Sequence, residues 1–194
     1  LKPAFETNGV QSRASVYFDG NQDILSIPDH PDHDNLSGFT VILVVAPTVM
    51  DSQPRALVSK RSSTADPSFN MFFYTGQELF FDVGSSSNRR STNQTFVGNT
   101  PYLITMHFDG SLPQSSRTKI FVDETLEGTY ESTFAVAPAT TGDFHIGALN
   151  QAYGSNKSLN GNIGEIIFFR RSLTPTVGGE LEKVQAYLSA KWGL

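Results

Sequence analysis

The densest group of metal-capable side chains is Pro28-Asp-His-Pro-Asp-His-Asp-Asn35, with three Asp and two His in eight residues. Hard cations take carboxylate oxygens, so Asp29, Asp32 and Asp34 are candidate calcium ligands, and calcium is the one cofactor this chemistry suggests. His30 and His33 would instead suit a transition metal. The same segment also fits a solvated loop. It holds two prolines, its spacing is not that of an EF-hand, and Pro and Asp both make turns.

Two polar loops carry the candidate ligand-binding residues. Residues 84–93 (GSSSNRRSTN) hold Arg89 and Arg90, whose guanidinium groups donate forked hydrogen bonds to carboxylates or vicinal hydroxyls. Ordinary solubilising charge on an exposed loop is the alternative. Residues 148–160 (ALNQAYGSNKSLN) hold Tyr153, which can stack on a sugar ring, and Asn150 and Asn156, which both donate and accept. Recognition by both loops at once requires that they meet at one rim.

Catalytic patterns are absent. No Gly-x-Ser-x-Gly, His-Glu-x-x-His or phosphate-loop sequence occurs. Of the four histidines, His107 and His145 fall within expected strands, where a structural role is the ordinary one. There is no cysteine, which excludes disulfides and thiol chemistry. The net charge of -5 argues against a nucleic-acid partner, and no apolar run is long enough for membrane insertion. The chain begins at Leu1 without a signal peptide, which reads as a mature or excised segment.

The elements that must position these residues are mostly strands. With 194 residues, 38% hydrophobic and 15 Phe, the chain can bury the core of one large all-β domain. Residues 1–14 read as a linker or an edge strand, and 15–194 as a single domain. Residues 39–46 (FTVILVVA) form the strongest central-strand signal, continuous and β-branched. Shorter strands are expected at 15–18, 23–27, 55–60, 69–74, 78–83, 100–108, 118–122, 127–130, 143–147 and 163–169. The turn at Asp123-Glu124 lacks the glycine that a two-residue hairpin favours. Near the end, Thr174 and Pro175 suit a helix start, although Gly178 and Gly179 weaken that turn. Leu181, Val184, Leu188 and Trp192 recur at helical spacing, and Gly193 suits the helix end. Trp192 is expected to pack with Leu188 onto strand 163–169.

The terminal stretch resembles the C-terminal signature of laminin-G-like, concanavalin-A-like jelly-roll domains of bacterial and viral surface proteins. The matching residues are Gly161, Ile163, Glu165, Ile166, Ile167 and Phe169, then Arg171, Leu173 and Thr174, then Val184, Tyr187, Leu188, Lys191, Trp192 and Gly193. The resemblance implies a two-sheet antiparallel jelly-roll sandwich with one short C-terminal helix. It implies an extracellular, cell-surface or virion location. The expected role is a non-catalytic carbohydrate-binding or adhesion module whose partner is a glycan or cell-surface polysaccharide. A structural or assembly domain that contacts other copies of itself is the alternative. A glycan-active hydrolase is the second, but the Glu-x-Asp-x-x-Glu strand of glucanases with this fold is missing.

Overall fold

The computed structural model describes residues 2–62, 67–150 and 157–194. In chain order the strands are β1 (Ala4–Val10), β2 (Arg13–Asp19), β3 (Leu25–Ile27), β4 (Gly38–Pro47), β5 (Arg55–Arg61), β6 (Pro67–Tyr74) and β7 (Glu78–Val83). They continue as β8 (Arg90–Ser91), β9 (Tyr102–Asp109), β10 (Thr118–Val122), β11 (Thr125–Tyr130), β12 (Phe144–Ile146) and β13 (Asn160–Phe169), and helix α1 (Glu180–Trp192) ends the chain. They build two antiparallel sheets. The seven-stranded sheet runs β1-β2-β13-β4-β9-β10-β11, and the six-stranded sheet runs β3-β12-β5-β6-β7-β8. This is the two-sheet sandwich expected from the sequence.

β4 shows why its sequence is apolar without a break. Side chains alternate between faces along a strand. Phe39, Val41, Leu43 and Val45 enter the core between the sheets. Ile42 and Val44 point the other way, into a second apolar layer with Leu103, Leu173, Leu181, Leu188 and Trp192. α1 lies over that outer face, so β4 is covered on both sides.

The inter-sheet core is built around phenylalanine. Phe39 and Phe69 meet across the sheets at 4.6 Å between ring centroids, and Phe69 contacts Phe144 at 5.7 Å. In β13 a bulge between Ile163 and Glu165 resets the alternation. Ile163, Ile166 and Phe168 then face the core, while Ile167 and Phe169 face the helix.

The helix begins later than Thr174-Pro175 suggested. Gly178 adopts φ 72° and interrupts the turn, so Gly179 is the N-cap and Glu180 the first helical residue. Leu181, Leu188 and Trp192 are buried, and Gly193 closes the helix in the left-handed conformation. Trp192 Nε1 donates to Glu165 Oε2 at 2.8 Å, and Lys191 Nζ donates to the same oxygen at 2.8 Å. A Cβ on Gly164 would lie 2.5 Å from the Trp192 ring, so that glycine makes room for the indole.

Asp123 and Glu124 form a two-residue hairpin turn, both at positive φ (48° and 67°), with Val122 opposite Thr125. The missing glycine does not prevent the turn. At the other edge of that sheet, β1 pairs with β2 alone. No helix among the described residues is long and apolar enough to cross a membrane.

Candidate functional site on the outer face of the six-stranded sheet

α1 lies over the seven-stranded sheet. The outer face of the six-stranded sheet has different chemistry. Alternation along β6 sends Phe69, Met71 and Phe73 to the core. Asn70, Phe72 and Tyr74 therefore face outward. β7 does the same: Leu79, Phe81 and Val83 point inward, leaving Phe80 and Asp82 outside.

Register then lines up the polar members. Ser26 lies opposite His145, His145 opposite Ser59, Ser59 opposite Asn70, and Asn70 opposite Asp82. One polar row thus crosses five strands, roughly 19 Å at the usual strand spacing of about 4.8 Å. His145, Ser59, Asn70 and Asp82 are all buried despite lying outside the core. Ser59 Oγ donates to the carbonyls of Ala148 and Leu149, which holds residues 148–150 against this face.

An aromatic patch lies beside the row. Phe72 stacks on Phe80 at 5.9 Å, and Tyr74 meets Phe80 edge-on at 5.5 Å. Ala56 and Leu149 complete the patch. Phe80 and Tyr74 are half-buried, so ring surface is accessible.

Electrostatics tie the two parts together. Arg89 Nε donates to Asp82 Oδ2 at 3.0 Å, and its guanidinium lies 5.0 Å from the Phe72 ring centroid. Asn70 Nδ2 donates to Asp82 Oδ1 at 2.7 Å. Burial pushes the Asp82 carboxyl up, while Arg89, Asn70 and Arg61 pull it back down. At the β12 end an open depression of about 320 Å³ is lined by Arg61, Ser62, Thr141, Gly142, Asp143, His145 and Asn150. Burial lowers the His145 pKa, opposed by Asp143, so its ring is held neutral. Three buried polar atoms, His145 Nδ1, Asn70 Oδ1 and Ser68 Oγ, have no hydrogen-bond partner among the described residues.

The residues singled out from sequence divide. Arg89 and Asn150 both reach this face. Arg90 turns away and pairs with Glu131. Tyr153 and Asn156 lie outside the described residues. Arg61, Asn70, Phe72, Tyr74, Phe80, Asp82 and His145 were not singled out as ligand contacts, because the strand faces read as core. The alternation of Asn70 and Asp82 with apolar neighbours was the available signal.

The structure gives Asp29, Asp32 and Asp34, the calcium candidates, ion-pair partners within the chain. Asp29 and Asp34 both pair with Lys60, at 2.7 and 3.2 Å, and Asp32 pairs with Arg170 at 2.8 Å. Among the described residues no three Asp, Glu or His side chains are grouped to hold a metal ion. His30 Nδ1 accepts from the Asp32 amide, and the His33 ring packs against Phe144 and Phe168. His107, on the opposite sheet, hydrogen-bonds through Nε2 to the Leu173 carbonyl at 2.9 Å and seats the helix corner.

Comparison with known proteins agrees with this architecture. The family model described as the concanavalin A-like lectin/glucanases superfamily matches residues 19–177. No curated protein matches the chain in sequence. Among solved structures, a heptameric SAP-like pentraxin from Limulus polyphemus is 18% identical, with a TM-score of 0.60 over 89% of this chain and 81% of that one. Domain 4 of the extracellular arabinanase AbnA from Geobacillus stearothermophilus, solved with arabinotriose, is 14% identical, with a TM-score of 0.65 over 90% and 78%. The CBM40 domain of the Ruminococcus gnavus IT-sialidase, solved with α2,3-sialyllactose, is 11% identical, with a TM-score of 0.67 over 88% and 96%. At these identities the likeness shows a shared fold.

Proposed function

The chain belongs to the concanavalin A-like lectin/glucanases superfamily, and from that premise we propose that it is a non-catalytic carbohydrate-binding module of an extracellular or surface protein. The observation that carries this reading is the polar row Ser26–His145–Ser59–Asn70–Asp82 beside the Phe72–Tyr74–Phe80 patch. Sugars present apolar ring faces and hydroxyl edges, and they are met by aromatic surface next to fixed donors and acceptors. Arg89 and Asn150 frame the site from the two loops. The related folds solved with arabinotriose and α2,3-sialyllactose support a saccharide as the ligand class.

The carboxylates of this face support the non-catalytic part of this reading. Asp82 is committed to Asn70 and Arg89. Asp143 accepts from the Asp29 amide. Neither is a carboxyl poised to exchange a proton across a groove, which glycoside hydrolysis needs from a pair.

A multimerised form of the chain, screened against a glycan library, tests the reading. We expect binding to at least one glycan, weakened by Arg89→Ala and Asn150→Ala. A multimer that binds no glycan would favour the second reading, an assembly domain. The observation behind that second reading is edge strand β1, where Phe5 is 72% exposed on a strand with one free edge. Sedimentation of wild type and Phe5→Ser measures it: loss of an oligomer on substitution supports assembly.

A further inference from the structure

Lys60 is fully buried, and its ammonium sits in a cage of oxygens. Nζ lies 2.7 Å from Asp29 Oδ1, 3.1 Å from the Gly142 carbonyl, 3.2 Å from the Thr140 carbonyl and 3.2 Å from Asp34 Oδ1. Two carboxylates and two backbone carbonyls are the donor set that a hard divalent cation takes. Here the distances suit the N–H···O bonds of an ammonium, which has three protons to share among four acceptors.

The cage joins three separate segments. Asp29 and Asp34 come from the loop before β4, Lys60 from β5, and Thr140 and Gly142 from the turn before β12. Further bonds reinforce the joint: the Asp29 amide donates to Asp143 Oδ1 at 3.1 Å, and the Thr140 amide donates to Asp34 Oδ1 at 3.4 Å. Gly142 is pressed so close to β5 that a Cβ there would lie 2.0 Å from the Arg61 carbonyl oxygen. Thr141, Gly142 and Asp143 also form one wall of the depression that Arg61 and His145 line. Whatever holds the 140–143 turn therefore sets the shape of that depression.

We propose that Lys60 is a built-in cation: its ammonium stands where a calcium ion would otherwise bind, positions the 140–143 wall, and makes ligand binding independent of divalent metal. Its role at the binding site rests on the carbohydrate reading above; its role as resident cation does not. The lysine needs no free ion, because the chain delivers the charge when β5 pairs with β12.

Two substitutions separate this role from ordinary packing. Lys60→Ala leaves the four oxygens and opens space between them. Lys60→Met fills the space with an apolar chain of similar length. Melting temperatures are measured for wild type and both variants in chelator, in millimolar calcium and in millimolar methylammonium. Wild type is expected to melt identically in all three. Both variants are expected to melt lower in chelator, and Lys60→Ala alone should recover at least half of its loss when either cation is added, since a ligand that binds only the folded state raises its stability. A Lys60→Ala protein that recovers with neither cation overturns the proposal. So does a wild-type melting temperature that rises with calcium. If Lys60→Ala does not fold, calorimetric titration of calcium into wild type decides: no binding heat is expected, and a saturable heat would contradict the proposal. In a separate arm, glycan binding by wild type should be unchanged by chelator. Failure to bind any glycan refutes the carbohydrate reading and leaves the cation arm intact, whereas glycan binding abolished by chelator refutes the built-in cation.

Discussion

The two outer faces of this sandwich have opposite chemistry. Over the seven-stranded sheet, Ile42, Val44 and Leu103 meet Leu181, Leu188 and Trp192 of α1 in an apolar seal. Gln185 Nε2 donates to Thr105 Oγ1 there at 3.0 Å, and His107 Nε2 bonds to the Leu173 carbonyl while its Nδ1 has no partner among the described residues. Over the six-stranded sheet, the corresponding face carries a polar row, an aromatic patch and three unpartnered polar atoms. A helix seal contributes stability and leaves nothing to bind with. A face of buried polar groups costs stability unless those groups are paired, and its persistence here argues for use. Under the proposed function, the difference separates the part of the molecule that holds the fold from the part that would recognise a glycan.

The sharpest way to break this contrast is at the helix. Trp192→Ala should cost about 3–5 kcal/mol, the range for truncating a large buried aromatic. Chemical denaturation measures it. Ligand binding per folded molecule should be unchanged, because the indole lies on the opposite sheet. An unaltered denaturation midpoint would mean that the helix is not part of the fold.

On the six-stranded sheet the expected effects are smaller and of a different kind. Arg89→Ala leaves the Asp82 carboxylate buried without its cation and should cost about 1–3 kcal/mol. Asp82→Asn removes the charge and keeps the shape, so it should cost less than Arg89→Ala. Denaturation of the two variants gives the order, and the reverse order would mean that the pair is not electrostatically coupled.

Acid probes both faces through histidine. Burial lowers the pKa of His107 under the helix corner and of His145 in the depression. Lys119 pushes His107 the same way, while Asp109 and its bond to Leu173 oppose. In the unfolded chain each takes up its proton near pH 6.5, so the unfolded state binds more protons than the folded one below that value. Stability should therefore fall as pH drops below about 6.5, and continue to fall until the folded histidines titrate. His107→Gln should flatten part of that slope. A melting temperature constant between pH 7 and pH 5 would contradict buried neutral histidines. Asp29 and Glu180, whose pKa values are lowered by Lys60 and Arg171, contribute stability above the ordinary carboxylate range that disappears only in stronger acid. The exposed Arg171–Glu180 pair gives the smallest effect of all: Arg171→Ala should barely move the melting temperature.

The helix side was legible in the sequence and the sheet side was not. Leu181, Leu188 and Trp192 announce a buried stripe by spacing alone, since residues four and seven apart share one helix face. The polar row needs the registers of four strand pairs, which no local pattern supplies. In β6 the residues Phe72 and Tyr74 are as apolar as their inward neighbours, so the outer patch was hidden among core residues. The chemistry of the Asp29–Asp34 cluster suggested a calcium site or a solvated loop, and the fold pairs Asp29 and Asp34 with Lys60. Lys60 lies 31 residues from Asp29 in sequence and was out of reach of spacing rules. Arg90 looked like a ligand contact until the fold brought Glu131 to it across 41 residues.

The contrast between the faces is tested most directly by two aromatic substitutions read on one glycan library. Tyr74 lies in the aromatic patch of the six-stranded sheet, and Tyr187, 60% exposed, lies on the helix. Multimerised wild type, Tyr74→Ala and Tyr187→Ala are compared on the glycans that wild type binds. Tyr74→Ala should weaken binding roughly tenfold, equivalent to about 1.4 kcal/mol, while Tyr187→Ala should bind as wild type does. Loss of binding in Tyr187→Ala with Tyr74→Ala unaffected would place recognition on the helix side and contradict the division proposed here.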